Sequence, residues 1–164
     1  MRIVIVSDTH GRLGDLQEAV ERSKPIDWLL HLGDIEGQQD EIAQIVAMAG
    51  GKVAMVSGNN DFFSPLKKEL ELVIGGVRIW MTHGHQYGVY QGTGQIKNQG
   101  LLRNVDVVMY GHTHAPFLDI DEANHITVLN PGSVSYPRQL GRRRTYMLMD
   151  ILPDKTVNYK VMEL

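Results

Sequence analysis

Two hydrophobic rhythms alternate along this chain. Ile3-Val4-Ile5-Val6 is a β-branched run, the pattern of a strand buried on both faces in a sheet covered by helices. Leu13, Leu16, Ala19 and Val20 then recur at helical spacing, and Pro25 ends the helix they predict. Trp28-Leu29-Leu30-His31-Leu32 is a second strand. Ile42, Ile45, Val46 and Ala49 form the inner face of a second helix, which Gly50-Gly51 closes as a left-handed C-cap. Val53-Ala54-Met55-Val56 is a third strand. Leu70 to Ile74 and Val77 to Met81 flank Gly75-Gly76 and predict a β-hairpin. Residues 86–100 contain Gly88, Gly92, Gly94 and Gly100 and read as loop plus a short helix, followed by a strand from Val105 to Tyr110. The remainder is β-rich over about 116–121, 125–130, 144–151 and 156–163, with a turn at Asn130-Pro131-Gly132-Ser133.

The order is βαβαβ, then mostly strands with one helical stretch. That predicts an α/β fold in which two mixed β-sheets pack together and helices cover the outer faces. No repeat, linker or low-complexity segment interrupts it. The 164 residues are expected to form a single domain, 1–164, large enough to bury its own core.

Composition narrows the function. A net charge of −3 supplies no basic field to gather nucleic acid, so no stable nucleic-acid binding is expected. An anionic substrate must instead meet local counter-charge, from bound metal or a few arginines. Cysteine is absent, which excludes disulfides and thiolate sites and suits a reducing cytoplasm, the expected location. Residues 1–7 show no signal-peptide pattern, and no apolar run approaches the ~18–20 residues of a membrane span.

The polar residues at the strand ends carry the chemistry. Asp8 and His10 follow the first strand, Asp34 the second, Asn59 the third, His83 the hairpin, and His112 and His114 the strand after it. Each alone has an ordinary reading: an Asp after Gly is usually a cap or turn former, and a His at a strand end a hydrogen-bonded rim residue. Together they are not explained by turn chemistry, which does not ask for four histidines at the ends of buried strands. Metal binding does. Gly33, Gly58, Gly84 and Gly111 beside them permit sharp turns and close approach to a ligand. An extended His112-Thr113-His114 would point both imidazoles to one face. Three oxygen donors and four imidazoles exceed one tetrahedral site and suit two ions sharing a carboxylate. The absence of sulfur favours Mn²⁺, Fe²⁺, Zn²⁺ or Ni²⁺ over a structural zinc cage.

Asp8-x-His10, Gly33-Asp34, Gly58-Asn59-x-Asp61, Thr82-His83-Gly84-His85 and Gly111-His112-Thr113-His114 occur in order, each after a strand. This set resembles the calcineurin-like metallophosphoesterases. With the short length and the Leu129-Asn130-Pro131-Gly132-Ser133 segment, it is most similar to their small bacterial and archaeal phosphodiesterase branch. The resemblance implies a four-layer α-β-β-α sandwich and two divalent metal ions, with Mn²⁺ the first choice. Asp8, His10 and His114 would hold one ion, Asn59, His83 and His112 the other, and Asp34 would bridge them. A hydroxide between the ions would attack the phosphorus of a small phosphodiester.

One position departs from the family pattern. Many members carry a His after the metal-binding Asn, thought to protonate the leaving group or stabilise the transition state, and here it is Asn60. An amide is no general acid at neutral pH, which speaks against phosphomonoesterase action and against poor leaving groups. Asp61 is expected to orient a neighbouring ligand. The catalytic set on this reading is Asp34, Asn59, Asn60 and His83.

Two further readings stand beside the phosphodiesterase. One is a non-catalytic interaction scaffold of the same fold, as the related retromer subunit is thought to be; seven competent ligand positions weigh against it. The other is a nuclease, which the charge balance disfavours. Ser133 and Arg138 are candidates for substrate contact, against a plain surface turn. Arg142-Arg143-Arg144 is either a solvated loop or a phosphate clamp. His85 is a turn cap or a rim hydrogen bonder, and His31 and His125 read as structural. Similar proteins form dimers or tetramers, so a homo-oligomer is also expected.

Overall fold

The computed structural model describes all residues, 1–164. Five strands form the first sheet: β1 (Arg2–Val6), β2 (Trp28–His31), β3 (Lys52–Met55), β9 (Thr145–Ile151) and β10 (Val157–Glu163), in the order β10-β9-β1-β2-β3. β1 and β2 are parallel, with Ile3 opposite Trp28 and Val6 opposite His31, and β2 and β3 continue in parallel. β9 runs antiparallel to β1, placing Met149 opposite Ile3, and β10 antiparallel to β9. The crossovers are α1 (Leu13–Ser23) and α2 (Gln39–Met48).

The second sheet also has five strands: β4 (Glu69–Ile74), β5 (Val77–Thr82), β6 (Val107–Met109), β7 (Pro116–Asp121) and β8 (Ile126–Pro131), in the order β4-β5-β6-β8-β7. β4 and β5 are the expected hairpin, and Gly75 and Gly76 both have positive φ, as a tight primed turn requires. β6 pairs in parallel with β5 and β8, while β7 closes the edge antiparallel to β8. α3 (Gly94–Leu102) follows a short 3-10 turn at His85–Tyr87.

Strand alternation builds the layers. In β1, Ile3 and Ile5 face the space between the sheets, while Val4 and Val6 face α1 and α2. β9 divides likewise, with Met147, Met149 and Ile151 between the sheets and Tyr146 and Leu148 on the helix side. In β5, Ile79 and Met81 point inward, while Trp80 packs outward with Ile96 of α3. Three apolar clusters therefore separate four layers: helices, sheet, sheet, helix. The α-β-β-α sandwich is the observed architecture.

Local details follow the sequence closely in one place and depart from it in two. At the end of α2, the Gly50 N–H bonds the Ala47 carbonyl and the Gly51 N–H bonds the Val46 carbonyl, a Schellman closure with Gly50 at φ +80°. The Asn130–Ser133 turn is a correction in part: β8 continues through Asn130 and Pro131, with Pro131 opposite Pro116 of the edge strand β7. The chain turns only at Gly132, at φ +77°. Residues 112–114 are also not extended. His112 has φ +67° and His114 φ +56°, so the two imidazoles reach the site by left-handed backbone and not by strand alternation.

Candidate metal centre

The carboxyl ends of β1, β2, β3, β5 and β6 meet at one edge of the sandwich, where parallel strands present their following loops together. Donor atoms of Asp8, His10, Asp34 and His114 all lie within 4.8 Å of one another. His10 Nε2 is 3.4 Å from His114 Nε2. Asp8 Oδ1 is 3.1 Å from His114 Nε2 and 3.9 Å from His83 Nε2. Asp34 Oδ2 lies 3.7 Å from His10 Nε2 and 3.5 Å from His83 Nε2, between two groups of imidazoles. On its far side Asn59 Oδ1 is 3.1 Å from His83 Nε2, and the His83 and His112 rings are 5.1 Å apart at their centroids. All seven residues singled out at the strand ends thus converge.

Unusual backbone makes this possible. Asp8, His10, Asp34, His112 and His114 all have φ between +45° and +67°. Left-handed backbone costs a non-glycine residue on the order of 1 kcal/mol or more, and Asp and His tolerate it better than most. The strain is held by close packing of the loops. A Cβ on Gly58 would stand 2.1 Å from Asp34 Oδ1, and one on Gly111 would stand 2.0 Å from Ser7 Oγ. Those glycines serve contact between donor-bearing loops.

Outer hydrogen bonds aim three imidazoles inward. His83 Nδ1–H donates to the Leu32 carbonyl at 2.7 Å, His114 Nδ1–H to the Tyr136 carbonyl at 2.5 Å, and His10 Nδ1–H to the Glu36 carboxylate at 2.8 Å. With the proton on Nδ1, each Nε2 lone pair faces the cluster, the arrangement of metal-ligating histidines. Ser133, with no exposed surface, donates to the Asp8 carbonyl at 2.8 Å, so it braces the first loop from behind. It is not placed for the substrate contact considered for it. Asn130 is equally buried and donates to the Gly111 carbonyl and Thr113 Oγ1, bracing the His112–His114 loop.

The electrostatics ask for cations. Asp8 and Asp34 are buried, and no lysine or arginine pairs with either. Asp8 Oδ1 makes no aligned hydrogen bond, despite the nearby imidazole. Burial opposes ionisation of Asp34, but His83 and then the Asn60 hydrogen bonds outweigh it and hold its pKa well below the carboxylate range. Burial likewise opposes ionisation of Asp8, and His114 and His83 overcome it. For His83, burial disfavours charge, but Asp34 and Asp8 raise its pKa. Burial and then the neighbouring His83 lower His112 to about 4. Two anionic carboxylates, an orphaned buried oxygen and inward imidazole nitrogens fit hard or borderline divalent cations.

The remaining sequence candidates separate clearly. Asn60 is bonded to Asp34, by its N–H to Oδ1 and by its amide to Oδ2. Asp61 stays outside the donor cluster and accepts four backbone N–H groups, from Asp34, Ile35, Glu36 and Gly58. The arginine run divides: Arg143 pairs with Glu163, Arg144 with Asp15, and Arg142 lines a cleft beside His10 and His114 together with Arg138. His85 lies next to His83 and His112, with ring centroids 5.6 Å and 6.0 Å away. His31 is buried and structural: its Nδ1 accepts the Gly33 N–H and its Nε2 meets Thr9 Oγ1. Sequence reasoning missed Glu36 and Tyr136, and it read Asn130 only as part of a turn. The bracing roles had no readable signal, since Tyr136 acts through its carbonyl and Glu36 and Asn130 through contacts with loops distant in sequence.

Comparison with known proteins agrees with this geometry. Residues 1–154 match the family model for the calcineurin-like phosphoesterase superfamily domain. The chain belongs to that superfamily. It is similar to the probable metallophosphoesterase YsnB of Bacillus subtilis, at 30% identity over 94% of this chain and 86% of that one. It is also similar to phosphodiesterase YfcE of Escherichia coli, at 29% identity over 92% of this chain and 88% of that one. Among solved structures, a predicted phosphoesterase from Streptococcus pneumoniae superimposes with a TM-score of 0.78 at 25% identity, covering 99% and 97% of the two chains. Vacuolar protein sorting 29 from Cryptosporidium parvum shares the fold, with a TM-score of 0.76 at 19% identity over 99% and 97%. Family and donor cluster together support metallophosphoesterase activity. No helix is long and apolar enough to cross a membrane.

Proposed function

We propose that this protein is a metal-dependent phosphodiesterase with a two-metal centre. The observation that carries the reading is the place of Asp34 Oδ2, 3.7 Å from His10 Nε2 and 3.5 Å from His83 Nε2. One anionic oxygen is shared between two groups of donors. Asp8, His10 and His114 would hold one ion, Asn59, His83 and His112 would hold the other, and Asp34 would serve both. Divalent cations bound there supply a water ionised near neutral pH and offset charge on the phosphate.

The other side chains prepare the centre. Glu36 and the Leu32 and Tyr136 carbonyls keep His10, His83 and His114 in the donor tautomer. Asn60 holds both oxygens of Asp34 and, after His83, favours its ionised form. Asn60 cannot deliver a proton to a departing alkoxide, so the reading is for diesters with stabilised leaving groups and not for monoesters. The activity named for the Escherichia coli relative supports the diester. Mn²⁺ is the metal of first choice, since carboxylate and amide oxygens beside imidazole, with no sulfur, are compatible with it.

A paired rate assay on chelator-stripped protein tests this. Bis-p-nitrophenyl phosphate should be hydrolysed on addition of Mn²⁺ and strongly preferred to p-nitrophenyl phosphate. Hydrolysis of neither, with Mn²⁺, Ni²⁺, Zn²⁺ or Fe²⁺ restored, would refute the reading and leave the non-catalytic scaffold in its place.

A further inference from the structure

A cleft of about 720 Å³ opens directly beside the donor cluster, lined by His10, Glu36, His114, Tyr136, Arg138 and Arg142 among others. Its two histidines are those expected to hold the first ion. Its two arginines come from the segment between β8 and β9. Neither makes an ion pair, whereas the next two arginines of the same run are neutralised by Glu163 and Asp15. Glu36 is the one acid in the lining, and its carboxylate is engaged by His10 Nδ1 at 2.8 Å.

Arg138 is built into the site from both ends. Its backbone N–H donates to the His114 carbonyl at 3.0 Å. Its guanidinium donates to Tyr90 Oη, and the Tyr90 hydroxyl donates to the His112 carbonyl at 3.1 Å. One peptide group of the donor loop thus fixes the Arg138 backbone and another, through Tyr90, its side chain, while the other guanidinium donors have no partner. A planar fork with free donors suits phosphate or carboxylate. Arg142 faces the same space from a left-handed turn at φ +45°.

We infer that this cleft is a second anion subsite: the substrate is a phosphodiester carrying a further phosphate or carboxylate, which Arg138 and Arg142 bind while the scissile phosphate sits at the Asp–His cluster. The inference rests on the phosphodiesterase reading and adds the class of substrate. A protein of net charge −3 leaves these two cations unpaired at the mouth of its donor cluster, where an anionic tail gains most from them.

The test uses Mn²⁺-loaded protein and p-nitrophenyl phosphodiesters whose second ester group is propyl, 3-carboxypropyl or 3-phosphonopropyl. The leaving group is constant, so the ratio of anionic to neutral substrate reads the effect of the tail, and its change on substituting the arginines reads the subsite. Wild type should favour an anionic tail by about tenfold or more in kcat/KM, mostly through KM, equivalent to ~1.4 kcal/mol. The better of the two tails assigns phosphate or carboxylate. Arg138→Gln and Arg142→Gln should bring the ratio toward one. Equilibrium binding of 1,3-propanebisphosphonate against propylphosphonate should show the same preference and the same loss, without turnover. A ratio near one in wild type, or a preference that survives both substitutions, would overturn the subsite while hydrolysis of the propyl diester still upheld the enzyme. Failure to hydrolyse even the propyl diester would count against the phosphodiesterase itself.

Discussion

Asn60 grips Asp34 at both carboxylate oxygens, with its backbone N–H on Oδ1 at 2.9 Å and its side-chain amide on Oδ2 at 2.7 Å. Oδ2 is also the oxygen nearest to His10 and His83. Asn60 therefore sets the direction in which the Asp34 carboxylate points. Replacing Asn60 with Ala frees the more important oxygen and keeps the backbone bond. Metal affinity should fall by roughly 10–100-fold, the usual effect of removing an orienting partner. Competition with a chelating dye measures it. Unchanged affinity would mean that packing around Gly58 alone positions Asp34.

Asp61 works one shell further out and on the backbone. Its Oδ1 accepts the N–H groups of Ile35 and Glu36 at 2.8 and 2.6 Å, and its Oδ2 those of Asp34 and Gly58 at 2.8 and 2.7 Å. Three of these charge-assisted bonds pin the loop after β2 to the loop after β3, and the fourth, from Gly58, closes the β3 loop on itself. Asp61→Ala should cost about 3 kcal/mol or more, since each bond to a charged acceptor is worth ~1.5–3 kcal/mol and the donors are left without a partner. Urea unfolding gives the number. A loss under about 1 kcal/mol would show that water replaces the carboxylate freely.

Much of this arrangement could be read from the chain before it was folded. The runs that become β1, β2 and β3 have the periodicity of buried strands, and the donors follow them immediately, so their meeting at one sheet edge needs only parallel pairing. Asp61 was legible as a supporting residue for the same reason. The left-handed backbone at Asp8, His10, Asp34, His112 and His114 was not, because αL conformation at Asp or His has no sequence mark beyond a mild preference. An extended His112-Thr113-His114 is the simpler expectation, and contact with the β1 loop at Gly111 overrides it. Ser133 looked exposed in a Pro-Gly turn, yet β8 carries it under the first loop. Long-range bracing of this kind depends on which loops touch, and local pattern does not encode that.

His31 sets a pH limit on stability. Burial disfavours its charged form and holds its pKa down to about 4. Both ring nitrogens are used inside the fold: Nδ1 accepts the Gly33 N–H and Nε2 meets Thr9 Oγ1. In the unfolded chain it titrates near ~6.5. The folded state therefore binds fewer protons between these values. His31 contributes fully above about pH 6.5, and that contribution is lost as pH falls toward 4. The loss amounts to up to ~3 kcal/mol. Urea midpoints from pH 7.5 to 4.5, with chelator present throughout, should fall more steeply for wild type than for His31→Gln. Parallel slopes would show that His31 is protonated without cost.

Asp34→Asn is the sharpest test of a shared carboxylate. Asn keeps the shape but removes the negative charge that lies between His10 and His83. An ordinary ligand to one ion would, when neutralised, release that ion and leave its neighbour. A bridging ligand should affect both, because each ion loses an anionic donor and also the charge that screened it from the other. Wild type should retain two ions per chain after gel filtration in Mn²⁺-free buffer, and Asp34→Asn fewer than one. Diesterase activity should fall below detection at equal Mn²⁺. Metal analysis and rate measurement on the same preparations separate the cases. Loss of one ion with the other bound tightly would assign Asp34 to a single site, and two ions with full activity would remove it from the centre.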